Sequence, residues 1–106
     1  MLSGCEKDQT QDQANRHTVL SESYLEIGQL KSALIEMKNA LHVQPDHLKA
    51  LHVGGLIFLK LGQLQEAERF LSKAKSLSPL PGDTAVQIHL DYARALIKTQ
   101  KIPEYN

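Results

Sequence analysis

Gly28-Gln29-Leu30 and Gly62-Gln63-Leu64 are the same tripeptide set 34 residues apart. Reading outward from them, the offset persists. Val19 returns as Val53, Leu25 as Leu59, Ala33 as Ala67, Ala40 as Ala74 and Pro45 as Pro79. Eight identities thus link residues 14–47 to residues 48–81, where ordinary residue frequencies give about two by chance. A 34-residue period is the length of a helix–turn–helix unit that buries its apolar face only by stacking on its neighbours. The expected fold is therefore all-α: an α-solenoid of tandem helix–turn–helix repeats, with two full units and a partial third. Arrays of this kind present extended binding surfaces.

Hydrophobic spacing sets the helices inside each unit. In the first unit, residues 14–47, a helix is expected from about Ala14 to Ile27, with Val19, Leu20, Tyr24 and Ile27 forming its packing stripe. Gly28 ends it, because glycine accepts the left-handed backbone that a helix terminus needs. Leu30, Ala33, Leu34, Met37, Ala40 and Leu41 then mark an amphipathic second helix, Leu30 to Val43, stopped by Pro45, with Asp46 as the next cap. The second unit, residues 48–81, repeats the scheme. Its first helix carries Leu51, Gly55, Phe58, Leu59 and Leu61, its second Leu64, Ala67, Phe70, Leu71, Ala74 and Leu77, and Gly62 and Pro79 end them. Gly54-Gly55 reads as a packing pair inside a helix. A turn over residues 80–84, capped by Asp83 or Thr84, leads into a partial third unit, residues 84–106. Its helix runs from about Thr84 to Thr99, and an insertion of about four residues brings Ala93 into register with Ser21 and Gly55. Residues 1–13 are polar after Cys5 and lack periodicity, and are expected to form a tether.

Composition removes several function classes. The formal net charge is zero, which argues against nucleic acid, because phosphate binding needs clustered Lys and Arg. Residues 1–47 carry a net −3 and the remainder +3, a distribution that solvated helix faces account for. No apolar run is long enough to span a bilayer. Cys5 is the sole cysteine, so the chain has neither an internal disulfide nor a cysteine metal cluster. His42, His47 and His52 are five apart and interrupted by Pro45, which is not the spacing of a zinc pair on one helical face. His17 and His89 read as partly buried packing residues. Neither a nucleophile–base arrangement nor a glycine-rich phosphate loop stands out, so no enzyme activity, metal or cofactor is expected.

The small residues Ser21, Gly55 and Ala93, the aromatics Tyr24 and Phe58 three positions on, and the pairs Gly28/Gly62, Ala33/Ala67, Ala40/Ala74 and Pro45/Pro79 resemble the tetratricopeptide repeat. The resemblance covers residues 14–106. His17 and Gly54 depart from it, standing where larger apolar residues are usual, and the third unit has Leu96 for the aromatic and no turn glycine. It implies a right-handed superhelix whose first helices line a concave groove for a peptide or partner helix. The residues expected on that face are Asn15, Thr18, Glu22 and Glu26 from the first unit, Lys49, His52, Leu56 and Lys60 from the second, and Gln87, Leu90, Arg94 and Lys98 from the third. Thr18, Glu22 and Val53 stand where the chaperone-binding class of this family places its carboxylate clamp, so capture of a chaperone tail is not expected. The third unit's helix, without a second helix to cover it, should expose Tyr92, Leu96, Ile97 and Ile102, giving marginal stability or self-association.

Leu2-Ser3-Gly4-Cys5 resembles a bacterial lipobox, which implies lipidation of Cys5, a membrane-anchored, periplasm-facing location in the cell envelope, and a chain cut from a longer precursor. Ser32–Leu41 (SALIEMKNAL) and Leu90–Lys101 (LDYARALIKTQK) are similar to the repeat lipoproteins that accompany exosortase/PEP-CTERM sorting and exopolysaccharide genes. Together these resemblances imply a non-catalytic protein-interaction scaffold, with a protein or peptide in the groove and a lipid at Cys5. A cytoplasmic adaptor with an accidental LSGC, or the regulatory repeat domain of a larger enzyme, are the rival readings.

Overall fold

Among the described residues the chain forms five consecutive α-helices: α1 (Leu2–Glu26), α2 (Leu30–Val43), α3 (Leu48–Leu61), α4 (Leu64–Leu77) and α5 (Asp83–Lys98). The computed structural model describes the backbone of residues 2–78 and 83–98, and the side chains of residues 9–78, 86–95, 97 and 98. No strand occurs among the described residues. Each helix packs on the next, and α1, α3 and α5 also contact one another in sequence, so the three first helices form one layer and α2 and α4 the other. This is the helical-repeat solenoid that the 34-residue period predicts.

The two turns between paired helices are built alike. Gly28 and Gly62 both take φ +81°. The Gly28 amide donates to the Leu25 carbonyl at 3.1 Å and the Gln29 amide to the Tyr24 carbonyl at 2.9 Å; Gly62–Leu59 and Gln63–Phe58 repeat these bonds at the same distances. This double closure satisfies helix-end carbonyls that would otherwise lack partners, and the left-handed residue it requires explains the glycine.

Packing within a pair depends on small residues. A Cβ on Gly55 would stand 2.4 Å from Leu71 Cγ and Cδ2, and one on Gly54 would stand 2.7 Å from Phe70 Cδ2 and 3.1 Å from Met37 Sδ. The glycine pair therefore lets both α2 and α4 close on α3. Phe58 and Phe70 meet edge to face with ring centroids 5.0 Å apart. Met37, Ile57, Leu71 and Ile88 are the largest apolar side chains fully withdrawn from solvent. In α5, Ile88, Asp91 and Ala95 are buried, as are Ala50, Val53 and Ile57 in α3. The 38-residue offset between these sets matches the register obtained by inserting four residues.

Several expectations need correction. The first helix begins at Leu2 rather than near Ala14, running through the stretch read as a tether. Residues 5–13 contain no glycine or proline, and Glu, Lys and Gln favour a helix even where no apolar stripe marks one. The stripe assigned to α1 is also wrong: Val19, Leu20 and Ile27 are exposed, and Ala14, Thr18 and Ser21 are buried instead. The residues that pack α1 onto α2 are small, which hydrophobic periodicity undervalues. The cap of α3 is His47, not Asp46: its Nδ1 accepts the Ala50 amide hydrogen at 3.1 Å. His89 is exposed rather than partly buried, whereas His17 is half-buried. In the apolar strip expected at the C-terminal end, Ile97 is 58% exposed. Tyr92 is instead half-buried, with the Lys75 ammonium 5.1 Å from its ring centroid. The Leu96 side chain, Ile102, the cap side chain at Asp83 or Thr84, and the Cys5 side chain lie outside the described residues. No described helix is long and apolar enough to cross a membrane.

Candidate partner-binding groove

The first-helix layer carries an open groove of about 660 Å³, lined by Leu25 and Glu26 of α1, Gly28 and Leu30 at the first turn, Leu56, Leu59 and Lys60 of α3, and Arg94 and Lys98 of α5. Its floor is leucine and its rim is charged. Five residues expected on the concave face line it: Glu26, Leu56, Lys60, Arg94 and Lys98. Leu25, Leu30 and Leu59 line it too and were not among them. Leu30 and Leu59 belong to the expected packing stripes and Leu25 to the repeat identities, and the half-buried edge of such a leucine also forms the groove floor.

The remaining expected face residues are divided. Thr18 is 1% exposed, and its hydroxyl donates to the Ala14 carbonyl at 2.7 Å, so burial removes it from the partner surface. Asn15 Oδ1 accepts a 2.7 Å hydrogen bond from His47 Nε2. Because His47 Nδ1 already accepts from Ala50, its proton sits on Nε2 and the ring is neutral. Burial pushes the His47 imidazole below its ordinary 6.5, with Asp46 acting in the opposite direction and Lys49 reinforcing the shift. Glu22 and Lys49 form an ion pair at 3.6 Å across α1 and α3. Leu90 is exposed and does not line the groove.

Behind the groove lies Asp91, a carboxylate 1% exposed on α5. His52 Nε2 donates to its Oδ2 at 2.7 Å, Arg94 Nη1 to its Oδ1 at 3.0 Å, and Gln87 Nε2 to Oδ1 at 3.4 Å. A buried carboxylate is costly unless hydrogen-bonded and paired, and charge-assisted bonds of this kind offset that cost. His52, Gln87 and Arg94, all expected on the binding face, therefore share an anchor that joins α3 to α5 and fixes the Arg94 guanidinium at the groove rim. Asp91 is a site residue that hydrophobic periodicity does not mark. The signal that could have found it is the register: it stands where α3 has Val53, a carboxylate in an apolar stripe.

No family model matches the chain. Over 60 residues, 57% of its length, it is 32% identical to the "Protein CTR9 homolog" of Arabidopsis thaliana, and it spans about 6% of that protein. The similarity is distant and partial. With the five-helix solenoid it places the chain among helical-repeat proteins, and it lends no support to the bacterial lipoprotein or PEP-CTERM resemblance.

Proposed function

We propose that this chain is a non-catalytic protein-interaction domain of the tetratricopeptide type, whose first-helix groove receives a peptide or helix from a protein partner. The observation that carries this is the register of the lining side chains. Glu26, Lys60 and Lys98 occupy one repeat position and Leu56 and Arg94 another, and all five converge on one open, leucine-floored groove. Recognition surfaces combine an apolar centre with a polar rim in this way. The test is site-specific photocrosslinking in the native cell. A photoreactive residue at Leu56 should capture a partner, whereas the same residue at Ser72, on the outer helix α4, should not. Equal capture from both positions, or none from Leu56, would remove the groove from the proposal.

A finer proposal is that the domain belongs to a lipid-anchored envelope protein held at Cys5, of the exosortase/PEP-CTERM-associated kind. It rests on Leu2-Ser3-Gly4-Cys5 and the two similar stretches alone. Membrane fractionation of the full-length protein beside Cys5→Ala decides it: anchoring predicts loss of the variant from the membrane fraction, and equal solubility of both refutes it.

A further inference from the structure

We infer that the groove selects an acidic, leucine-bearing segment and orients it with its acidic end against α5; this rests on the reading of the groove as a partner site. The repeat register shows why. At one position the three first helices carry Glu26, Lys60 and Lys98, and at another Glu22, Leu56 and Arg94. Charge thus changes sign across the groove, from carboxylate on α1 through an apolar centre on α3 to cations on α3 and α5. Among the described residues the lining holds three cations and one anion, in a chain whose formal net charge is zero. The groove's cations all come from the second and third units, where residues 48–106 carry a net +3, and its matching ligand is acidic over α5 and apolar over Leu56.

The cations are available to a partner. Among the described residues, neither Lys60 nor Lys98 lies within salt-bridge distance of a carboxylate. Arg94 commits one nitrogen to Asp91, which is also held by His52, and an arginine has five N–H donors, so donors remain to face the groove. The Asp91 bond pins the guanidinium before a partner arrives and lowers the ordering cost of binding. Glu26, at the opposite end, repels the acidic portion and so sets the direction. Packed helices lie about 8–10 Å apart, so α1 to α5 is roughly 20 Å, the reach of about six extended residues.

The experiment uses fluorescence anisotropy with three labelled peptides of about twelve residues, sharing the same leucine positions and carrying Glu, Gln or Lys elsewhere. The Glu peptide should bind about tenfold more tightly than the Gln peptide, and the Lys peptide most weakly. Lys60→Glu with Lys98→Glu, both exposed, should invert that order, and added salt should weaken only the charged ligand. If all three peptides bind equally and Leu56→Asp abolishes each, the groove is a partner site without acid selectivity and the inference falls alone. If none binds, the groove reading falls with it. If the free protein is a dimer that the double charge variant cannot form, the groove belongs to a second copy and the acidic partner is overturned.

Discussion

The first and second units occupy the same repeat positions with opposite chemistry. In the first, His17 Nδ1 donates to Glu36 Oε1 at 2.7 Å, and the Ser21 hydroxyl donates to the Ala33 carbonyl at 2.7 Å. Thirty-four residues on, the corresponding positions are Leu51 with Phe70, and Gly55 with Ala67. Leu51 is buried with Phe70 packed against its cluster, and Leu71 fills the space left by Gly55. Val19 is 56% exposed, whereas its equivalent Val53 is 3% exposed. The second unit is flanked on both sides, so its first helix is covered on both faces and its pair closes by apolar contact. Among the described residues nothing lies on the outer face of α1, and the first pair adds to the apolar contacts of Tyr24, Leu25 and Leu34 one buried hydrogen bond from Ser21 and one half-buried bond from His17. Position in the stack, more than repeat identity, decides which chemistry a site carries.

The widest gap between the units should appear at the small-residue position. Gly55→Ala drives a Cβ onto Leu71 and is expected to cost about 2 kcal/mol, overpacking outweighing the gain in helix propensity. Ser21→Ala removes one hydrogen bond and should cost about 1 kcal/mol. Urea denaturation measures both. Combining Gly55→Ala with Leu71→Ala should cost less than the separate changes together, because the two side chains compete for one space. A Gly55→Ala protein as stable as the parent would mean that the tight closure of α3 on α4 is not what distinguishes the second unit.

A smaller contrast lies at the valines. Val53→Ala should lose about 1.5 kcal/mol through lost burial and the cavity left behind. Val19→Ala should stay within about 0.5 kcal/mol. Equal losses would show that something covers the outer face of α1 in solution, and sedimentation would then distinguish self-association from internal coverage.

The smallest effect is pH-dependent and belongs to the junction between the units. His47 is neutral in the folded protein and its burial lowers its proton affinity, so the unfolded chain binds the proton more readily. Its contribution is present above pH 6.5 and is lost as pH falls below that value through the lowered folded-state value. His47→Asn keeps a side-chain acceptor for the Ala50 amide without a titrating group. The slope of stability against pH between neutrality and mild acid should be shallower in this variant. An unchanged slope would assign the acid sensitivity to other groups.

The residues differed in how much they disclosed. Repetition disclosed α2 through α4, because the glycines and prolines that bound them and the apolar residues between each have a local physical reason. The identities at Val19 and Leu25 supported the repeat, yet Val19 proved exposed: a residue kept in register reports the repeat unit, not whether a neighbour is stacked there. The N-terminal half of α1 escaped notice because a solvated helix needs no apolar stripe. Five groove residues were legible from register alone, since lining positions recur with the period. Thr18 was misplaced because a hydroxyl can satisfy itself on its own helix and then be buried. The bonds of Asp91 to His52 and of His47 to Asn15 span 39 and 32 residues, distances over which spacing along a chain carries no geometric information.

The paired glycine turns bear on how such a chain acquires its form. Nothing lies within 4 Å of a Cβ built on Gly28 or Gly62, and the bonds that close each turn come from the preceding five residues. Each turn is therefore closed by local bonds alone, without a contact from any other part of the molecule at its glycine. The packing of each helix on its neighbours in sequence then follows by short steps, which is the route to rapid folding. A chain assembled from self-closing joints can also gain or lose a whole 34-residue segment without redesign of what remains, so its length is free to drift over evolution while its groove is lengthened or shortened one unit at a time.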